Sequence, residues 1–199
     1  MKESQLYNKL NNPQLTAEES IACVNLFLKT NKNYELVPYG LYSANATIAG
    51  GASCPKRAIG ECLTNSEDAI IERETELHPE WANVESPKQF VNEKMGKNVE
   101  TMSRGEITEF ARDNILLEVD EVEKKYHNVS VIDTGIGVSL EDMVSTILSV
   151  HGNNKKGESR LHGHFGQGAT ASLVFTSGVK FIATRRQGSD VIGFTAVFL

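Results

Sequence analysis

The stretch that decides the fold of this chain reads Val129-Ser130-Val131-Ile132-Asp133-Thr134-Gly135-Ile136-Gly137. Its first residues are mostly apolar and β-branched, a pattern that predicts a buried β-strand. The strand ends in an acid, Asp133, and the glycines at 135 and 137 allow the backbone of a turn to approach a ligand closely. The stretch therefore predicts a strand that delivers a carboxylate to a ligand-binding turn.

The segments around this stretch predict further strands and a helix. Residues 115–119 and 129–133 flank a polar turn and predict an antiparallel pair, and from Glu106 onward the sequence favours β structure. Ser139 and Asp142 have the spacing of a capping box, which predicts a helix over residues 139–150. Residues 179–184 and 191–198 predict a second hairpin, which turns at Gln187-Gly188-Ser189-Asp190.

A long helix is predicted over residues 53–74, with Ser53 as its cap and Pro55 in its first turn. Ile59, Leu63, Ser66 and Ile70 fall on one stripe of this helix. The opposite stripe contains Glu61, Asn65 and Asp68. Taken alone, three such residues are typical of a solvated helix face.

The N-terminal third predicts one further helix and two less regular segments. Thr16 and Glu19 form a candidate capping box for a core-facing helix over residues 15–30. Residues 34–49 are broken by Pro38 and Gly40. Residues 75–104 are rich in charge and proline and predict a polar excursion with one short helix around 86–95.

A glycine-rich segment precedes the last hairpin. Residues 151–160 are polar and predict a mobile loop. They lead into Gly163-His164-Phe165-Gly166-Gln167-Gly168-Ala169 and a predicted helix that runs through Phe175. Glycines immediately before a helix let backbone N–H groups bind a polyphosphate, which the helix dipole also favours. His162 and His164 lack a cysteine or third histidine at suitable spacing, so zinc is not expected. Lys155 and Lys156 are more typical of solvated lysines than of phosphate ligands.

Composition restricts the class of protein. With 199 residues, 40% of them apolar and 23% charged, the chain is expected to form one soluble globular domain over residues 1–199. The net charge of −6 does not indicate a broad surface for nucleic acid or anionic membranes. No apolar run is long enough for a membrane span, and the three cysteines fit reduced thiols in the cytoplasm. The apolar C-terminus, which ends at Leu199, leads us to expect an N-terminal piece of a longer protein.

Three motifs stand in a fixed order along the chain, and together they resemble the GHKL ATPases. These are Glu61-x-x-x-Asn65-x-x-Asp68, Asp133-x-Gly135-x-Gly137 and Gly163-x-x-Gly166-x-Gly168. The group includes type II topoisomerases, heat-shock ninety chaperones, mismatch-repair ATPases, microrchidia proteins and histidine kinases. The glycine motif is most similar to the chaperone and microrchidia forms. The resemblance covers roughly residues 53–186 and implies an α+β two-layer sandwich, with helices on one face of a mixed, mostly antiparallel sheet.

The resemblance also implies a role for each motif residue. Glu61 resembles the general base that activates the attacking water, and Asn65 the ligand of Mg²⁺. Asp133 resembles the acceptor of the adenine amino group, supported through water by Asp68. Thr184 resembles a threonine that assists adenine recognition. The backbone at Gly135 and Gly137 is expected to pass close to the purine. The backbone of the glycine motif is expected to wrap the triphosphate through Gly163, Phe165, Gly166, Gln167, Gly168 and Ala169.

By the same resemblance, ATP is expected to close a lid at 151–161 and to drive the formation of a homodimer, so that ATP acts as a switch for attached domains. Histidine kinases typically carry asparagine where Glu61 falls, so Glu61 favours hydrolysis. Phosphotransfer to histidine and a nucleotide sensor without turnover remain as alternatives.

Two departures from the family accompany these expectations. Glu61 and Asp133 lie farther apart than in compact members, which implies a subfamily insertion at 75–112. Several members supply a phosphate-contacting cation from a following domain that is not in this sequence, and this predicts weak hydrolysis by the chain alone.

Overall fold

The computed structural model describes residues 1–36, 54–143, 145–147, 161 and 175–198. Among these residues, the five α-helices come first along the chain and the four strands follow. The helices are α1 (Glu3–Leu10), α2 (Ala17–Thr30), α3 (Pro55–Leu77), α4 (Pro87–Gln89) and α5 (Arg104–Asn114). The strands are β1 (Ile115–Glu123), β2 (Tyr126–Asp133), β3 (Val179–Thr184) and β4 (Gly193–Phe198).

The four described strands form two antiparallel pairs, each a two-stranded sheet. In the first pair, Ile115 of β1 lies opposite Asp133 of β2, so the strand that carries the deciding stretch ends at its acid. In the second, Thr184 of β3 lies opposite Gly193 of β4. Both predicted hairpins are confirmed, and the combination of helices with antiparallel strands confirms the α+β class.

Helix α3 carries the first motif and extends beyond the predicted end at residue 74 to Leu77. Pro55 occupies its first turn, as predicted. The predicted cap was wrong: Cys54 is the N-cap residue, and its side chain makes no capping hydrogen bond. The first turn instead relies on proline, whose missing N–H group needs no partner.

The return of β structure from Glu106 was also wrong, because residues 104–114 form α5. Ser103 accepts a hydrogen bond from the Glu106 N–H, and the Glu106 carboxylate accepts one from the Ser103 N–H. This capping box satisfies two of the backbone donors that a helix start leaves free, which outweighs the β-branched residues that follow. The short helix predicted around 86–95 is present as α4, which continues into a π-helical turn, Phe90–Lys94.

Two apolar clusters hold the described helices in place. Helices α1 and α2 pack on the β3–β4 sheet through Leu6, Leu10, Val24 and Phe27. The segment that contains α4 packs on the other side of α3 through Ile71, Val84, Phe90 and Leu161. The predicted capping box of α2 is confirmed, since Thr16 and Glu19 exchange both hydrogen bonds.

The helix predicted over 139–150 is only partly described. The Ser139 hydroxyl donates to Asp142, and the Met143 and Thr146 N–H groups donate to carbonyls four residues earlier. The described residues there form turns and not a continuous helix. Predictions for 37–53, for the loop at 151–160 and for the helix that precedes Phe175 lie outside the described residues. No helix in the described ranges is both long and apolar enough to cross a membrane.

Candidate functional site

The turn after β2, here called the Asp133 loop (residues 133–137), is fixed between α3 and the connection of β3 to β4. The Ile136 N–H donates to the Ala69 carbonyl of α3 at 2.9 Å. The Ile136 carbonyl accepts from the Gln187 N–H at 2.8 Å. Backbone hydrogen bonds on both sides therefore place this loop between two separate elements.

The Asp133 carboxylate is oriented by two hydrogen bonds. Its Oδ1 accepts from the Gly135 N–H at 2.9 Å, and its Oδ2 accepts from the Ser66 hydroxyl at 2.9 Å. Ser66 lies on α3 and is only 3% exposed, whereas Asp133 itself is exposed. An ionised carboxylate has about four acceptor positions. Asp133 is thus held in one orientation and still has acceptor positions for a ligand's donor.

Two glycines of the loop are required by packing within the protein. A Cβ at Gly135 would lie 2.4 Å from the Cβ of Ala69. Gly137 has φ +66°, and a Cβ there would lie 2.0 Å from the Arg185 carbonyl oxygen. The close approach predicted from these glycines is therefore seen, but toward α3 and the β3–β4 connection of the same chain.

Three motif residues border one cleft between α3 and the strands. Glu61 and Asn65 reach it from α3, and Asp133 reaches it from the end of β2. The cleft has a volume of about 2890 Å³, larger than the roughly 300–1,000 Å³ of a typical ligand pocket. The Glu61 side chain is 38% exposed and forms an ion pair with Arg57 at 4.0 Å, at the long end of such contacts. Glu61 is thus open to solvent within the cleft.

The remaining predicted residues divide into three groups. Asp68 is fully buried at 0% exposure, so it lies inside α3's packing surface and not on the open face with Glu61. Thr184 borders the cleft and accepts a hydrogen bond from the Val138 N–H, directly after the Asp133 loop, at 2.9 Å. The glycine-motif predictions lie outside the described residues: Gly163, Phe165, Gly166, Gln167, Gly168 and Ala169.

Sequence reasoning missed the polar side chains that support the loop. Ser66 was placed on the apolar stripe of α3, where its hydroxyl gave no signal that it would meet a carboxylate. Arg73 donates to the Thr134 carbonyl and hydroxyl, and Arg186 donates to the Ile136 carbonyl. Neither arginine is part of a motif, and each meets the loop only through the tertiary fold.

Lys180 lies half-buried on the wall of the cleft that β3 forms. Burial lowers the pKa of the Lys180 ammonium group, and the nearby Cys62 of α3 acts in the opposite direction. Lys180 and its neighbour Phe181 both border the cleft, and Phe181 also packs against the apolar cluster of α1 and α2. The β3 wall of the cleft therefore contains a basic group whose charged form is disfavoured by burial.

The donor chemistry of the cleft fits Mg²⁺ better than a softer metal. Asn65 offers an amide oxygen next to the Glu61 turn of α3, and hard cations prefer such oxygens. In the described ranges no three His, Cys, Asp or Glu side chains come together as a metal site. Mg²⁺ usually keeps several waters and binds one or two protein oxygens plus substrate phosphates, so a single amide is compatible with it.

A sequence model of one family matches residues 53–196, well over half of the chain. It describes the histidine kinase-, DNA gyrase B- and HSP90-like ATPases. The chain belongs to this family. Comparisons with curated proteins and with solved structures found no match.

Membership in the family of histidine kinase-, DNA gyrase B- and HSP90-like ATPases identifies residues 53–196 as an ATP-binding domain. The match begins just before α3 and ends within β4, so it contains the whole Asp133 loop and the described cleft residues of α3 and β3. Helices α1 and α2 lie outside it, although they pack on β3 and β4.

Proposed function

We propose that this ATP-binding domain binds ATP with Mg²⁺ in the cleft between α3 and the strands and hydrolyses the ATP to ADP and phosphate. The observation that carries the proposal is that Glu61, Asn65 and Asp133 border one cleft. In this arrangement the Asp133 carboxylate, which can accept a hydrogen bond from a purine amino group, borders the same cleft as the Glu61 carboxylate and the Asn65 amide of α3.

The base end of the site would be read by Asp133. Two internal donors already orient its carboxylate, so its remaining acceptor positions are directed without reorganisation when a ligand enters. Adenine presents an amino donor where guanine presents a carbonyl oxygen, and that oxygen would face the negative Asp133. An acceptor that the bound base covers and that then faces another acceptor is costly, so the site should prefer ATP to GTP.

The phosphate end would be served by α3. Asn65 would hold Mg²⁺ through its amide oxygen, and the bound metal would neutralise charge on the phosphate oxygens. Glu61 lies one turn earlier, where its carboxylate would accept a proton from the attacking water. A glutamate at this position supports hydrolysis and does not favour phosphotransfer to histidine.

The consequence of ATP binding would be a conformational switch. In this proposal the nucleotide closes the lid predicted at 151–161 and promotes pairing of two copies, and hydrolysis returns the domain to its starting state. Sedimentation velocity with and without a non-hydrolysable ATP analogue tests this part. A monomer under both conditions would contradict nucleotide-dependent pairing.

Calorimetric titration of ATP and GTP with Mg²⁺ tests the binding site itself. Asp133→Asn replaces one acceptor oxygen by a donor, so we expect ATP affinity to fall by roughly ten- to hundredfold, equal to about 1.5–3 kcal/mol. We also expect the preference for ATP over GTP to narrow. Equal affinity for ATP and GTP in the unmodified chain would contradict the adenine assignment.

Glu61→Ala separates hydrolysis from binding. The variant should release little phosphate and keep an ATP affinity close to that of the unmodified chain, because the proposed base acts in the chemical step. Glu67→Ala, an exposed glutamate of the same helix, is the matched control and should keep phosphate release. Phosphate release that survives Glu61→Ala would exclude Glu61 as the base.

A further inference from the structure

The peptide between Thr134 and Gly135 links the Asp133 carboxylate to an arginine of α3. On one side of this peptide plane, the Gly135 N–H donates to Asp133 Oδ1 at 2.9 Å. On the other side, the Thr134 carbonyl accepts from Arg73 Nη1 at 2.6 Å. One planar unit therefore connects the guanidinium group to the carboxylate, since rotation of the plane would break both hydrogen bonds.

Arg73 has its N–H groups arranged around the loop. Nη1 also donates to the Thr134 hydroxyl at 2.7 Å, while Nε and Nη2 donate to Glu74 Oε1 at 2.9 and 2.6 Å. The Arg73 and Glu74 side chains are 21% and 17% exposed, so this ion pair is largely shielded from solvent. A planar guanidinium can serve carboxylate, carbonyl and hydroxyl together, which a lysine ammonium cannot do in the same geometry.

A second arginine approaches the loop from the opposite side. Arg186, two residues after the end of β3, donates through Nη1 to the Ile136 carbonyl at 3.3 Å and forms an ion pair with Glu76 of α3. The Gln187 N–H donates to the same carbonyl at 2.8 Å, so Arg186 shares this task. The carbonyls of Thr134 and Ile136, the residues on either side of Gly135, thus each accept a hydrogen bond from an arginine that is paired with a glutamate of α3.

From this geometry we infer that Arg73 is a positioning residue for nucleotide selectivity, with Arg186 in a supporting role. Arg73 fixes the Thr134–Gly135 peptide plane, the plane's N–H fixes Asp133, and Asp133 faces the purine amino group. The inference rests on the proposed function, because it assigns to Arg73 the orientation of the base-reading acceptor. Gly135 has no side chain to restrict this plane, so the arginine supplies the restriction.

The test compares adenosine, ATP and GTP affinities by calorimetry in variants of the full chain. Arg73→Gln should lower the affinities for adenosine and for ATP by the same factor, about tenfold or more, because only the base end of the site is disturbed. It should also lower the ratio of ATP to GTP affinity. Arg73→Lys keeps one charged donor and should recover part of both losses. Arg186→Gln should show the same pattern with a smaller loss.

Two further variants keep the test decisive if Arg73→Gln does not fold. Thr134→Val removes the hydroxyl that accepts a hydrogen bond from Arg73 and changes the shape of the side chain little. Like Arg73→Gln, it should lower the ratio of ATP affinity to GTP affinity. Arg112→Gln, an exposed arginine of α5, is the matched control and should change neither affinity nor ratio.

A purely structural role would lower the unfolding midpoint of Arg73→Gln and leave the ATP-to-GTP ratio and adenosine affinity unchanged in its folded fraction. That result would overturn the inference and leave the proposed function intact. If the unmodified chain bound neither adenosine nor ATP, the proposed function would fail, and this inference with it.

Discussion

At the scale of single residues, the Asp133 loop needs glycines that have no Cβ where the backbone packs closely against other elements. Gly137 and Gly96 have nearly the same φ, +66° and +64°. A Cβ at Gly137 would meet the Arg185 carbonyl, whereas a Cβ at Gly96 would meet nothing within 4 Å. Comparing substitutions at the two positions therefore distinguishes the cost of a positive φ, which both share, from the cost of steric overlap, which only Gly137 has.

Gly137→Ala should destabilise the protein more than Gly96→Ala. Both changes place an L-residue in the left-handed region, at about 1–2 kcal/mol each. Gly137→Ala adds a forced shift of the β3–β4 connection, which we expect to cost a further 1–3 kcal/mol, approximately. Urea unfolding of the two variants measures the difference. Equal losses of unfolding free energy would show that the connection yields without cost.

The residue scale also marks the limit of sequence reasoning about the site. Glu61, Asn65 and Asp133 were identifiable because each has a fixed spacing to glycines or to other motif residues. Ser66 and Arg73 have no such spacing, since they meet the loop through contacts between residues distant in sequence. The position of Asp133 at the end of its strand could therefore be predicted, but the groups that orient its carboxylate could not.

At the scale of elements, two capping boxes determine where helices begin, which the hydrophobic pattern alone does not. The box of Ser103 and Glu106 starts α5 where strand was expected, and the Thr16 and Glu19 box starts α2 as predicted. Helix α3 begins without a side-chain cap, and its length of 23 residues and the packing of Ile71 in an apolar cluster compensate. Reciprocal capping boxes thus begin α2 and α5, whereas the single predicted cap residue of α3 does not cap it.

Stability should depend on pH through the cap of α5. Hydrogen bonds from the Ser103 hydroxyl and backbone lower the pKa of the Glu106 carboxyl below its ordinary value of 4.5. A lowered folded-state pKa means that the stabilisation is present above the unfolded pKa and is lost as pH falls through the folded one.

Glu106→Gln should remove this component from acid unfolding curves recorded below about pH 4.5. Glu109→Gln, on the same helix and exposed, is the control that should leave the curve unchanged. An identical acid transition in the Glu106 variant would show that the cap contributes nothing measurable to stability.

The segment predicted as an insertion is packed on α3 and does not extend freely into solvent. Phe90 is 0% exposed and Leu161 is 2% exposed in the cluster that also contains Ile71 and Val84. Leu161 precedes the predicted glycine motif by two positions in the sequence, and the cluster holds Leu161 itself together with Ile71 of α3. Its role as a partner contact stays a prediction.

Leu161→Ala should lower the free energy of unfolding by about 2–5 kcal/mol, because truncation leaves a cavity in a buried cluster. Leu36→Ala is the matched control, since Leu36 is 64% exposed and should change stability little. Thermal and urea unfolding measure both variants. A small loss in Leu161→Ala would mean that the cluster repacks around the missing side chain.

At the scale of the whole molecule, the packed unit is larger than the segment that the family model matches. Tyr7 of α1 makes edge contacts with Phe181 and Phe194 at centroid distances of 5.7 Å, and Asn128 donates to the Pro13 and Leu15 carbonyls. The N-terminal helices and the connection between them thus contact both strand pairs. Helix α2 was predicted from its capping box and apolar residues, whereas α1 was not predicted, and the sheet that both helices cover could be known only from the fold.

This arrangement predicts that α2 stabilises the β3–β4 sheet and, through it, the Asp133 loop. Phe27 is 4% exposed within the cluster, while its neighbour Leu26 is 51% exposed on the same helix. Phe27→Ala should lower the free energy of unfolding by about 3–5 kcal/mol, and Leu26→Ala should change it much less. Hydrogen exchange should show reduced protection of β3 and β4 in the Phe27 variant. Because Thr184 and Gln187 reach the loop from these strands and their connection, exchange at Val138 and Gln187 should rise as well. Unchanged protection at these amides would show that the N-terminal helices pack on the domain without supporting its site.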